Sequence, residues 1–108
     1  MNKNRILIIV VTVLVSLLLP MAAFADDAAA LYKAKCASCH AADGSGDTAM
    51  GKAMKLRDLR SADVQKQTDK ELYTLTADGK GKMPAYKAKL SEAEINGLVA
   101  YMRDLAKK

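Results

Sequence analysis

Apolar residues are arranged differently at the two ends of the chain. Near the N-terminus they form one long run, Ile6 to Leu19, broken only by Thr12 and Ser16. Near the C-terminus they recur at positions i, i+3, i+4, i+7 and i+10, which predicts an amphipathic helix that ends at about Lys107. The apolar positions of that helix are Ile95, Leu98, Val99, Met102 and Leu105.

The first apolar run has the features of a secretory signal peptide over residues 1–25. Two basic residues precede the run, Pro20 ends it, and Ala23-Phe24-Ala25 has the small-x-small form of a cleavage site. We expect cleavage after about Ala25 and export to the periplasm, which leaves residues 26–108 as one domain. An uncleaved membrane anchor is the alternative, because the run approaches the length that spans a bilayer.

Short polar signals set the bounds of the remaining helices. An alanine-rich run predicts a first helix over Ala28–Lys35 that continues into the next four residues. Ser61 is a predicted N-cap for a short helix over residues 62–66, and two capping boxes open the helices after Thr68 and Ser91. A loop is predicted over Ala41–Gly51 and a short helical turn over residues 53–59. No strand-rich segment is found, so the predicted fold class is all-α, with about four to five helices.

Both cysteines and the only histidine of the chain lie in one stretch, Cys36-Ala37-Ser38-Cys39-His40. The spacing C-x-x-C-H is typical of c-type haem attachment. Two thiols on one helical turn reach the two vinyl groups of a porphyrin, and the following histidine supplies the proximal nitrogen of the iron. We therefore predict one covalent haem c, bound by Cys36 and Cys39 and ligated by His40.

Other functions of this stretch stay open. A zinc site needs about four nitrogen or sulfur ligands, and the chain offers three. A thioredoxin-like C-x-x-C is expected near a βαβ pattern, which the sequence lacks. A disulfide between Cys36 and Cys39 leaves His40 without a role. A calcium site at Asp43 and Asp47 is a further alternative for the neighbouring loop.

A second loop supplies a candidate for the other axial ligand of the iron. In Gly81-Lys82-Met83-Pro84 the proline biases Met83 towards extended backbone, so its thioether is held on a fixed loop. The rival methionines are Met50, Met54 and Met102. Met102 belongs to the apolar stripe of the last helix, and the other two lie close to His40 with no proline to fix them.

With these motifs the chain resembles a small monohaem class I cytochrome c over nearly all of residues 26–108. The resemblance rests on the C-x-x-C-H stretch, the loop Gly81–Pro84, Tyr32, and Leu98-Val99-Ala100-Tyr101. It implies helices wrapped around one haem that is exposed at one edge, with the N- and C-terminal helices crossing near Tyr32 on one helix and Leu98 and Tyr101 on the other. It also implies that His40 and Met83 are the axial ligands.

The chain departs from the family pattern at three places. Ala28 stands where the helix crossing often has glycine, and Ala41 stands where glycine often follows the histidine. A backbone carbonyl is still expected to accept the Nδ1 proton of His40. There is no tryptophan to hold a haem propionate, for which the candidates are Arg57, Arg60, Tyr73 and Tyr86.

The resemblance implies a periplasmic one-electron carrier that is not an enzyme and that shuttles electrons between redox complexes. The alternatives are a haem c subunit of a larger membrane-associated complex, and a sensor or peroxidase with a labile sixth ligand. We expect a monomer that meets membrane complexes transiently. Its redox partners are expected to dock acidic patches on the lysines near the two haem-binding stretches, which are Lys35, Lys52, Lys80, Lys82, Lys87 and Lys89.

The charge of the domain argues against nucleic-acid binding. Two of the 17 basic residues and none of the 12 acidic residues lie in residues 1–25, so the predicted mature domain has a formal charge of +3. It has no dense basic run with interleaved aromatic residues.

Overall fold

A computed structural model describes residues 27–108, so the predicted signal peptide lies outside the described residues. Within this range the chain forms six helical segments and no strand, apart from one isolated bridge between Lys80 and Met83. None of these helices is long and apolar enough to cross a bilayer. The segments are α1 (27–35), α2 (Ala37–His40), α3 (Ala49–Met54), α4 (Ala62–Gln65), α5 (Asp69–Asp78) and α6 (Glu92–Leu105).

The all-α fold class is confirmed, and the number of helices is one higher than expected. The first helix was predicted to run through the cysteine motif without a break. Instead Cys36 forms a turn with φ −117° and ψ −36°, and α2 begins at the next residue. This break separates the motif from α1 as a helical turn of its own.

The helix α3 lies earlier in the chain than the predicted turn over residues 53–59. The hydroxyl of Thr48 caps its N-terminus by accepting a hydrogen bond from the Gly51 N–H at 2.8 Å. Lys55 ends it in the left-handed conformation with φ 54°. The sequence signal was weak because no glutamate or glutamine follows Thr48 at the third position to complete a capping box.

The other predicted helix starts are confirmed. The Ser61 hydroxyl accepts a hydrogen bond from the Val64 N–H at 3.4 Å, and the capping boxes at Thr68 and Ser91 are both complete. Each such cap contributes about 1 kcal/mol to stability. Gly79 ends α5 with φ 74°, as its position predicted, and α6 ends about two residues before the predicted Lys107.

The helices α1 and α6 meet at the predicted residues. Tyr32 is buried, and its ring centroid lies 5.1 Å from that of Tyr101. At Gly97 a side-chain carbon would lie 3.5 Å from Cβ of Ala28. The residue of α6 that faces Ala28 across this crossing is therefore Gly97.

The helix α6 separates two groups of core residues. Ile95, Leu98 and Leu105 pack with Tyr32, together with Ala77, Tyr86 and Leu90. The second group joins α4, α5 and α6 through Val64, Leu72, Val99 and Met102. All four residues of the second group also border the cavity described next.

Candidate functional site

The cysteine motif forms a compact turn at the end of α1. The Cys36 N–H donates to the Tyr32 carbonyl at 2.8 Å, and the His40 N–H donates to the Cys36 carbonyl at 2.9 Å. Cys36 and Cys39 form no disulfide with each other and are partly buried. Burial, with a smaller contribution from Cys39, raises the pKa of the Cys36 thiol to about 11.

Three side-chain hydroxyls fix the backbone around this turn. Tyr32 Oη donates to the Ala41 carbonyl at 2.7 Å, and Thr48 Oγ1 donates to the Cys39 carbonyl at 2.7 Å. Tyr86 Oη donates to the Lys35 carbonyl at 3.2 Å. From the sequence, Tyr32 was expected only at the helix crossing, and Thr48 had no expected role. Thr48 carried a detectable helix-cap signal, but no sequence pattern pairs it with Cys39.

Ala41 holds the backbone after the histidine in a strained conformation. Its φ of 66° and ψ of 160° lie in a region that is occupied almost only by glycine. The Tyr32 hydroxyl bonds to the carbonyl of this residue, so the strained peptide is held by the core.

Replacing Ala41 by glycine is therefore expected to stabilise the protein. Glycine removes a strain of about 1–3 kcal/mol, and its extra freedom in the unfolded chain offsets about 0.4–1 kcal/mol of that gain. Denaturant unfolding of the holoprotein should give a free energy of unfolding about 1 kcal/mol higher than that of the wild type. The control is Ala42→Gly, because Ala42 has no positive φ. It should destabilise the protein, and equal effects of the two variants would contradict the assignment of strain to Ala41.

His40 is suited to bind a metal. Burial lowers the pKa of its imidazole, which favours the neutral form that metals require. Its Nδ1 is buried and has no hydrogen-bond partner among the described residues. The prediction that a backbone carbonyl accepts the Nδ1 proton of His40 is therefore wrong for this structure.

Two cavities that share five lining residues lie beside the motif, and we refer to them as the two lobes of one cavity. Their volumes are about 360 Å³ and 340 Å³, within the range of small-molecule sites. Cys39 borders the first lobe only, next to Pro84 and Tyr86. Apolar residues of the core border the second lobe. Five residues border both lobes, and they are Cys36, His40, Leu56, Lys80 and Met83.

The cavity distinguishes among the four methionines. Met83 borders both lobes, as His40 does, whereas Met54 borders the first lobe only and Met102 the second only. Met50 borders neither lobe and is 51% exposed. The structure thus brings all four predicted site residues, Cys36, Cys39, His40 and Met83, to one cavity.

Backbone contacts fix the loop that carries Met83. Lys80 and Met83 exchange two hydrogen bonds, at 3.2 Å and 3.0 Å, and the Tyr86 N–H donates to the Thr76 carbonyl on α5 at 3.1 Å. The loop leaves α5 at Gly79, where a side-chain carbon would lie 2.6 Å from the Met83 carbonyl oxygen. The loop can pack this closely only because that residue is glycine.

The remaining polar groups limit what the cavity can bind. Among residues 27–108, no aspartate or glutamate borders either lobe. Among residues 27–108, no three histidine, cysteine or carboxylate side chains converge as a metal site, so neither the zinc nor the calcium alternative gains support. An apolar cavity bordered by two thiols, an imidazole without hydrogen bonds and a thioether fits a haem.

Comparisons with known proteins match this region. The family profile described as "Cytochrome C oxidase, cbb3-type, subunit III" matches residues 23–102. Cytochrome c6 of Leptolyngbya boryana is 36% identical over 85 residues, which cover 76% of this chain and 96% of that protein. Cytochrome c6 of a Picosynechococcus strain is 35% identical over 92 residues, 78% of each chain.

A solved structure of a c-type cytochrome has a similar fold. The KustC0563 c-type cytochrome superposes with a TM-score of 0.66 at 29% identity, over 71% of this chain and 94% of that one. The family profile spans the cysteine motif, the Met83 loop and most of α6.

Proposed function

We propose that this chain, which belongs to the c-type cytochrome family, is a periplasmic one-electron carrier that shuttles electrons between redox complexes. Its cofactor is a covalently bound haem c, and like its cytochrome c6 relatives it carries electrons and is not an enzyme. The observation that supports the carrier best is that His40 and Met83 border the same two lobes of one cavity.

The proposed site assigns one role to each of four residues. Cys36 and Cys39 hold the haem as thioethers, the neutral imidazole of His40 is the proximal ligand, and the sulfur of Met83 is the distal ligand. When bound, the haem supplies an iron that changes by one electron, and a methionine ligand raises its reduction potential.

The surroundings of the two ligands suit electron transfer without bond changes. On one side, Tyr32 and Thr48 hold the backbone on either side of His40 through 2.7 Å hydrogen bonds. On the other side, the paired backbone of Lys80 and Met83 and the close approach at Gly79 hold the thioether. Two filled axial positions leave no place for a substrate on the iron, which separates a carrier from a sensor or peroxidase.

Carbon monoxide tests this function directly. The visible spectrum of the reduced holoprotein is expected to stay unchanged on addition of CO, because both axial positions are filled. A prompt change to a CO-bound spectrum would overturn the carrier and favour the sensor or peroxidase alternative.

The partners are redox proteins, and we propose that they present acidic patches to lysines at the cavity. Lys35, Lys80 and Lys82 border the first lobe and have no ion-pair partner among the described residues. By contrast, Lys52 pairs with Asp47 at 2.9 Å and Lys87 pairs with Asp78 at 3.2 Å. Lys89 borders neither lobe and lies over the Tyr86 ring, so we limit the proposed docking surface to Lys35, Lys80 and Lys82.

Charge reversal tests this surface. Lys82→Glu is expected to slow electron transfer to a small acidic redox protein about tenfold at low salt and to weaken the salt dependence of the rate. The control is Lys66→Glu at the C-terminal end of α4, because Lys66 borders neither lobe and pairs with Asp63. Equal rates for the two variants would contradict docking at the cavity.

A haem c subunit of a membrane-associated oxidase is the second candidate. The description of the matching family profile, a subunit of a cbb3-type oxidase, favours it. Native separation of mild detergent extracts decides between the two. A free carrier is expected to run alone in the periplasmic fraction, whereas a subunit is expected to migrate with a larger membrane complex.

A further inference from the structure

Within the part of the chain that the structure describes, all charged side chains that border the cavity, apart from the titratable His40, are basic. They are Lys35, Lys55, Arg57, Lys80 and Lys82. The other titratable groups that border it are Cys36 and Cys39, which the proposed thioethers use, and Tyr32 and Tyr86. Burial raises the pKa of both tyrosines, so neither adds a charge at neutral pH. An apolar cavity with this border suits an apolar ligand that carries acidic groups.

The basic residues are divided between the two lobes. Lys35 and Lys82 border only the first lobe, which is also where Cys39 lies. Lys55 and Arg57 border only the second lobe. In a haem the two carboxylates lie on the porphyrin edge away from the vinyl groups. Cys36 borders both lobes and Cys39 the first only, so the vinyl edge of a haem tethered through both would lie towards the first lobe and its carboxylates towards the second.

The sequence suggested four residues that could bind a haem propionate. Their contacts and positions in the structure exclude three of them. Arg60 is already paired with Asp58 at 3.0 Å and with Asp43 at 3.5 Å, and it borders neither lobe. The hydroxyl of Tyr86 donates to a backbone carbonyl beside the first lobe. Tyr73 borders neither lobe.

Arg57 is the remaining candidate for binding the haem carboxylates, and Lys55 lies two residues before it. Neither has an ion-pair partner among residues 27–108. Lys55 is fixed at the end of α3, because its N–H donates to the carbonyls of Gly51 and Lys52. Two neighbouring cations therefore border the second lobe without a carboxylate partner from residues 27–108.

We propose that Arg57, assisted by Lys55, binds the carboxylates of the haem at the second lobe, where the family resemblance would place a tryptophan. This assignment rests on the proposed function, because Cys36 and Cys39 set the orientation of the haem. Arginine can form two parallel hydrogen bonds to one carboxylate, and its charge favours the ionised form.

The test is the pKa of the haem carboxylates in the holoprotein. The NMR shifts of the CH₂ groups next to these carboxylates should be followed between about pH 4 and pH 9. In Arg57→Gln and Lys55→Gln the carboxylate pKa is expected to rise by about one unit, because each variant removes a cation that favours the charged form. Arg57→Lys should recover part of the shift.

The matched control is Lys82→Gln, which removes the same charge beside the first lobe. It is expected to leave the carboxylate pKa near the wild-type value. An unmoved pKa in Arg57→Gln, or an equal shift in Lys82→Gln, would overturn the assignment. Each sample is also tested with CO. If the proposed axial ligands are wrong, the wild type binds CO. If only the carboxylate assignment is wrong, the wild type excludes CO while the carboxylate pKa fails to respond as expected.

Discussion

Replacing Met83 by leucine is expected to open the sixth position of the iron and to make the reduced protein bind CO on mixing. Leucine has nearly the volume of methionine but no sulfur, and such exchanges usually cost less than about 1.5 kcal/mol in stability. The fold should therefore persist while the ligand is lost. The reduction potential should also fall, because methionine ligation raises it.

Met54 supplies the matched control for this experiment. It borders the first lobe near Cys39 and His40, so it is the methionine that competes best with Met83 as a ligand. Met54→Leu is expected to leave the protein insensitive to CO and to keep the wild-type potential. If Met54→Leu binds CO and Met83→Leu does not, the distal ligand is Met54 and our assignment is wrong.

The sequence predicted the parts of the site that depend on local chemistry. The C-x-x-C-H spacing, the proline after Met83 and the caps at Ser61, Thr68 and Ser91 each act within about four residues. The structure has these caps, and it places the motif and Met83 at one cavity. Local patterns of this kind can be read without knowing how the chain folds.

Contacts between distant segments could not be predicted in the same way. The hydroxyl bonds from Tyr32 to Ala41 and from Thr48 to Cys39 each span nine residues, and the bond from Tyr86 to Lys35 spans 51. Tyrosine and threonine at these positions satisfy core packing and helix capping equally well. Their second role exists only once the helices are in place.

The helix crossing illustrates the same limit. The sequence has alanine at position 28, where the family often has glycine. The structure shows that Gly97 on the opposite helix faces Ala28. A single sequence does not say which residues of two distant helices face each other.

Gly79→Ala is expected to detach Met83 from the iron, although position 79 borders neither lobe of the cavity. A side-chain carbon there would lie 2.6 Å from the Met83 carbonyl oxygen and 2.9 Å from the Ala85 nitrogen. Both are backbone atoms, so the loop itself must move. We expect CO binding by the reduced protein and a loss of stability of about 3 kcal/mol, from overpacking together with backbone strain.

Two comparisons separate displacement of the loop from strain at the glycine. Gly81 lies in the same loop with φ 57°, and a side-chain carbon there would meet nothing within 4 Å. Gly81→Ala should therefore lower the free energy of unfolding by about 1–2 kcal/mol, and the reduced protein should still not bind CO. Ala41 already holds an alanine at φ 66° and ψ 160°, close to the φ 74° and ψ 173° of Gly79.

Since the fold accommodates alanine in that conformation at position 41, strain alone does not account for loss of the ligand at position 79. CO binding by Gly79→Ala but not by Gly81→Ala would mean that the close approach of the two backbone segments holds Met83 in place. CO exclusion by both variants would mean that the paired backbone of Lys80 and Met83 holds the thioether without help from the glycine.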